Sequence, residues 1–234
     1  MKYFITGANR GLGLSLTKVS LLNGDTVFAG VRGTEEAKIK ELLELKETHN
    51  GNLQIIDIDV QSEESVLSAL TQVKEQTDSL DVLINNAAIL NERGKSIEEL
   101  DIEACRLALD INVLGPIRVV KHFLPLLEKG ENQSILNISS ESGSLTNSYS
   151  GDYPYGISKA ALNMLSEKLN CYLQDQDIQV LSIHPGWMKT DMGGENAPLY
   201  PNDTAKGIIE LAERKKKITS QYVFVDYNGD PMEI

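Results

Sequence analysis

The sequence predicts an α/β fold: a doubly wound parallel sheet of about seven strands with helices on both faces. Two observations predict it. Short apolar runs alternate with longer amphipathic ones along the whole chain, and strands joined by such amphipathic crossovers pair as parallel neighbours buried on both sides. No Pro/Gly/Ser-rich linker, internal repeat or low-complexity tract interrupts the series, so residues 1–234 read as one domain.

The elements follow in strict order. Residues 3–6 form the first apolar run and lead, through a glycine-rich turn, to helical spacing over 11–22. Residues 26–31 read as the second strand, 35–47 as a helix, 53–58 as the third strand and 63–76 as the helix behind it. The short apolar run 82–85 is the fourth strand, and apolar spacing then runs unbroken over 97–128, which predicts one long helix. Residues 135–139 are the fifth strand, 155–173 a helix, 180–183 the sixth strand, 202–214 a helix and 222–225 the last strand. The longest stretch with no obvious element is 140–154, rich in Ser, Gly and Tyr, and long irregular segments in compact domains often carry function.

Composition narrows the partners. With 22 Lys plus Arg against 34 Asp plus Glu, the formal charge of −12 repels nucleic acid and anionic membrane surfaces, and neither is expected as a partner. The run Arg214-Lys215-Lys216-Lys217 sits where a helix C-terminus favours cations. Cys105 and Cys171 lie far apart with no CxxC pair, which suits a reducing, cytoplasmic compartment. The N-terminal apolar run ends at Gly7, too short for a signal-peptide core, and no run of about 18 apolar residues is present. His49, His122 and His184 have no ligand-like spacing, so no metal is expected.

Thr6-Gly7-Ala8-Asn9-Arg10-Gly11-Leu12-Gly13 lies between the first strand and first helix, where glycines let backbone N–H groups and a helix N-terminus approach a pyrophosphate. An acidic residue ending strand two commonly binds the adenosine ribose hydroxyls. Here that stretch is Ala29-Gly30-Val31-Arg32-Gly33. With no carboxylate there, Arg32 and Arg10 are candidates to pair with a 2′-phosphate, which points to NADP(H) and away from an NAD-linked oxidative enzyme. Tyr155-Gly156-Ile157-Ser158-Lys159 puts a phenol and an ammonium on one helical face, and a nearby cation favours the phenolate. The rival phenols Tyr149 and Tyr153 have no lysine one turn later.

Read together and in order, these motifs resemble the short-chain dehydrogenase/reductase family over almost the whole chain, most of all its sniffer-type carbonyl reductases and C-factor-like proteins. The resemblance implies a Rossmann-type fold and a single dinucleotide-binding catalytic domain. It implies cofactor contacts from Gly7, Asn9, Arg10, Gly11, Leu12, Gly13 and Arg32, from Asp59 and Val60 beside the adenine, and from Asn86, Ala87 and Ala88 after strand four. Pro185, Gly186, Met188 and Thr190 follow strand six, and the family's threonine there contacts the nicotinamide. The implied catalytic set is Asn112, Ser140, Tyr155 and Lys159. Tyr155 donates the proton, Lys159 lowers its pKa and holds the nicotinamide ribose, Ser140 bonds the carbonyl oxygen, and Asn112 holds a water linking Lys159 to solvent. Ala88 departs from the family's usual glycine, and the loop between Ser140 and Tyr155 is about two residues longer than is common.

The implied activity is NADPH-dependent reduction of a small-molecule aldehyde, ketone or quinone. The alternative is a C-factor-type module that binds NADP(H) for signalling, with turnover incidental. Long helices over 101–128 and 155–173 imply a homodimer or homotetramer. The segment after Gly186 is short and contains Gly193-Gly194, which predicts a flexible cover, an open cleft and discrimination through Met192, Leu199 and Trp187.

Overall fold

A computed structural model describes residues 1–49 and 51–234. Seven parallel strands form one sheet in the order β3-β2-β1-β4-β5-β6-β7. They are β1 Lys2–Thr6, β2 Thr26–Val31, β3 Leu53–Asp57, β4 Val82–Asn85, β5 Ser134–Ile138, β6 Gln179–His184 and β7 Phe224–Asp226. The order reverses between β1 and β4, and in open parallel sheets ligands bind at that reversal, outside the carboxyl ends of the strands.

Period-two alternation divides each strand between two cores. Tyr3 and Ile5 of β1, Val82 and Ile84 of β4, and Leu181 and Ile183 of β6 face one core. There they meet α1 (Gly11–Leu22), α2 (Glu36–Thr48) and α7 (Pro201–Ala212). Phe4, Leu83 and Ile135 face the other, against α3 (Glu63–Lys74), α5 (Gly115–Leu127) and α6 (Tyr153–Leu173). Phe4 stacks on Phe123 of α5 with ring centroids 4.2 Å apart.

The single helix expected over 97–128 is broken. Ile97–Glu99 is a 3₁₀ turn. Asp101 then caps α4 (Ile102–Leu109), its carboxylate accepting from the Glu103 N–H at 2.9 Å. Asp110–Leu114 widens into a π-turn before α5 begins. Pro116 explains the widening: it has no N–H for the Asn112 carbonyl one turn back, and its ring would clash there. Gly115 N–H instead reaches five residues back to the Asp110 carbonyl. Apolar periodicity passes through such a turn almost unchanged, which is why the break is invisible to it.

Residues 140–154 are also more ordered than expected: Glu141–Gly143 forms a 3₁₀ turn capped by Ser140, and α6 starts at Tyr153 with Pro154 in its first turn.

Candidate active site

The glycine turn is built for close approach. Gly7 and Gly11 have φ of +66° and +52°. A Cβ on Gly13 would stand 2.1 Å from the Gly7 carbonyl oxygen, so only glycine fits there. Asn86 clamps the turn to the end of β4, its Nδ2 donating to the Thr6 and Gly7 carbonyls at 2.9 and 3.1 Å. Helix α1 has no side-chain cap on Arg10 and no acidic residue in its first turn. Its first N–H groups are therefore free for an anion, which is the fit a dinucleotide pyrophosphate requires.

Every sequence-predicted site residue except Gly13 and Asn112 lines one cleft of about 1030 Å³. Gly13 stands behind the turn. Asn112, 1% exposed, has its side chain fully engaged. Oδ1 accepts from Ile89 N–H at 2.9 Å, and Nδ2 donates to the Ile89 carbonyl at 2.9 Å and to Ser158 Oγ at 3.0 Å. Ser158 in turn donates to the Tyr155 carbonyl at 2.7 Å, so Asn112 positions the first turn of α6. What it can offer a water is its backbone carbonyl, which Pro116 leaves without the α-helical bond.

At the centre of the cleft Lys159 is 2% exposed, and its Nζ donates to the Ile138 carbonyl at 2.6 Å. It lies 5.4 Å from the Tyr155 ring centroid. Burial pulls the ammonium down to about 7. Burial likewise pushes the Tyr155 phenol up to about 12, against a downward pull from its hydrogen bond with Ser140, while Tyr149 and Asp152 add to the rise. This corrects the expectation that Lys159 depresses the phenol: the ammonium is turned to Ile138, and desolvation dominates. A phenol so raised stays protonated throughout the neutral range, which suits a proton donor.

Two glycines bring Ser140 to Tyr155. A Cβ on Gly143 would fall 2.6 Å from the Lys159 backbone carbon, and one on Gly156 would fall 2.9 Å from the Ser142 carbonyl oxygen. The neighbouring Ser139 hydroxyl turns inward to Asn163 Oδ1 at 2.6 Å.

On the adenosine side Arg32 is exposed and has no carboxylate partner among the described residues. Arg10 does have one, Asp191, at 2.9 Å. Lys38, which the sequence reading missed, lines the same end, with Glu35 at 3.0 Å from its Nζ. Its signal was cryptic because it comes from the exposed side of α2. Asp59 accepts from the Gln61 N–H at 3.0 Å and lines the cleft with Val60.

The cover after Gly186 is tied down, not loose. Trp187 Nε1 donates to the Gly193 carbonyl at 2.7 Å, Arg93 donates to the Met192 carbonyl at 3.0 Å, and Lys189 N–H donates to the Leu199 carbonyl at 2.9 Å. Gly193 serves close approach, since its Cβ would meet the Met188 carbonyl oxygen at 2.0 Å. Trp187 and Met192 line the cleft, whereas Leu199 packs on Gly186 outside it. Thr190 accepts from the Gly193 N–H at 3.1 Å and faces Gly11 across the cleft.

The buried ammonium gives a stability signature. Folded Lys159 loses its proton near pH 7 and the unfolded chain near 10.5, so between those values the unfolded state binds more protons and stability rises with pH. Denaturant midpoints of the free protein, taken relative to Lys159→Met, are expected to climb from pH 7 to pH 10. A pH-independent difference would show that Lys159 is not desolvated.

Residues 2–199 match the family model for short chain dehydrogenases. An uncharacterized oxidoreductase of Schizosaccharomyces pombe is 40% identical over 246 residues, covering 97% of this chain and 95% of its own. The solved carbonyl reductase Sniffer of D. melanogaster superposes with a TM-score of 0.89 at 33% identity, over 100% of this chain and 99% of that one. An NADPH-bound carbonyl reductase from chicken fatty liver gives a TM-score of 0.89 at 28% identity, over 100% and 98%.

Proposed function

Since this chain belongs to the short-chain dehydrogenase family, we propose that it is an NADPH-dependent carbonyl reductase acting on small aldehydes, ketones or quinones. The observation that carries the reading is the cluster of Ser140, Tyr155 and Lys159, opening into the cleft that the glycine turn lines. The similarity to solved carbonyl reductases, one of them NADPH-bound, supports it.

Bound NADPH supplies the hydride. The α1 N-terminus and the glycine turn hold the pyrophosphate, and Arg32 with Arg10 and Lys38 faces the 2′-phosphate. Lys159 holds the ribose hydroxyls with the donors that Ile138 leaves free. Ser140 orients the substrate oxygen and stabilises its developing charge, and Tyr155 gives that oxygen its proton.

The decisive test is NADPH consumption against a broad carbonyl panel. Trp187 and Met192 each separate substrates by only about 1 to 3 kcal/mol, so weak, broad reduction with high KM is expected. Exclusive turnover of one large substrate would overturn the breadth, and NADPH binding with no consumption anywhere would favour the signalling alternative. Cytoplasmic residence belongs to the same reading, supported by the free thiols Cys105 and Cys171.

The reading includes self-association as a homodimer or homotetramer. Ile102, Leu109, Leu114 and Ile117 are exposed along α4, the π-turn and α5, and Ile157, Met164 and Tyr172 along α6. Sedimentation at micromolar concentration is expected to show the dimer or tetramer, and a monomer alone would refute it.

A further inference from the structure

The Tyr155 phenol has a row of hydroxyls on its solvent side that the chemistry above leaves unused. Ser140 is its hydrogen-bond partner. Ser140 Oγ lies 3.2 Å from Ser142 Oγ, Ser142 Oγ lies 3.1 Å from the Tyr149 hydroxyl, and Tyr149 donates to Asp152 Oδ2 at 3.2 Å. Tyr149 is 54% exposed, so the row runs from the reacting phenol to bulk water.

We infer that Ser142, Tyr149 and Asp152 form a proton relay that returns to Tyr155, through Ser140, the proton it gives the carbonyl oxygen. The inference rests on the carbonyl-reductase reading. As the Tyr155 O–H bond breaks toward the substrate oxygen, the Ser140 proton moves to the phenolate oxygen. The Ser142 proton moves to Ser140, the Tyr149 proton to Ser142, and water supplies Tyr149. One proton is taken from solvent for each alcohol formed. Every hydroxyl in the row is both donor and acceptor, and its hydrogen rotates to suit.

Asp152 shows that this arrangement is favoured over ordinary local structure. It stands at the N-cap of α6, where an aspartate normally accepts a backbone N–H and contributes about 1 kcal/mol. Its side chain makes no cap bond, and its backbone is left-handed with φ +45°. The carboxylate is held on Tyr149 instead, where it orients the phenol and attracts the incoming proton. The inner face of Tyr155 offers no such open path among the described residues: Lys159 is buried against Ile138, and the Asn112 side chain is saturated.

The test is turnover in mixtures of light and heavy water. In the wild type, kcat is expected to fall along a curve as deuterium rises, the mark of several protons moving together. Ser142→Ala and Tyr149→Phe are expected to straighten that curve and lower kcat about tenfold, with KM for NADPH unchanged. Tyr153→Phe, whose ring does not line the cleft, keeps the curve. A straight line in the wild type, or a curve that survives both variants, overturns the relay. Thermal melts identify a variant whose loop has collapsed, and Ser142→Ala then decides, because it removes only one oxygen.

If no carbonyl in the panel is reduced, the activity reading fails, and the relay is decided in the free protein. Tyrosine Cζ resonances, with Tyr155 assigned through Tyr155→Phe, must then show its ionisation shifted in both Ser142→Ala and Asp152→Asn. An unshifted Tyr155 in either variant overturns the relay.

Discussion

Tyr155→Phe is expected to lower carbonyl reduction about a thousandfold while NADPH binds within about threefold of the wild type. The substitution removes one oxygen and leaves the ring, so the packing beside Lys159 and the first turn of α6 remain. What disappears is the only acid that combines a bond to Ser140 with a lysine on its own helical face. The loss should appear in kcat and kcat/KM equally, since the proton moves only as the carbonyl is reduced. A variant keeping more than a tenth of the wild-type rate would assign the proton to another group. Loss of turnover in Tyr153→Phe instead would mean that the long loop before α6 is aligned wrongly.

Arg32→Ala should cost NADPH about tenfold to a hundredfold in affinity and leave NADH within about twofold, because a charge-assisted contact to a phosphate is worth roughly 1.5 to 3 kcal/mol. The wild type should accordingly prefer NADPH by at least about tenfold. Arg10→Ala should cost less, for a reason that only the structure supplies. Its guanidinium is already paired with Asp191, both side chains more than two-thirds exposed, and must exchange that partner for the phosphate. Titration of both cofactors against the three proteins, followed by nicotinamide fluorescence, separates these outcomes. Equal affinity of the wild type for NADPH and NADH would overturn the assignment of Arg32.

Much of this architecture is legible in the sequence because strand periodicity and helix periodicity differ, and the chain alternates cleanly between them. The glycine turn is equally legible, since Gly7, Gly11 and Gly13 mark positions where backbone meets backbone. Other features are hidden for definite reasons. The π-turn at Asp110–Leu114 preserves the apolar stripe on both sides, so periodicity runs over it. Arg10 and Asp191 are separated by 181 positions, and nothing local in either stretch announces the other. Gly193 reads as a hinge in the sequence and proves to be a contact point, because glycine serves both needs. The Tyr155 environment is legible only in part: Lys159 is placed by helical spacing, whereas the burial that governs both groups is a tertiary property.

The approach of Gly143 and Gly156 across the Ser140 turn sets how this protein tolerates mutational drift. Because main chain rests on main chain there, the spacing from Ser140 to Tyr155 does not depend on the volume of any side chain in the two apolar cores. Core substitutions that keep the fold therefore change how many molecules are folded and leave the activity of each folded molecule nearly constant. Lineages can exchange valine, leucine and isoleucine behind the sheet freely, while the two glycines admit no replacement that preserves the distance.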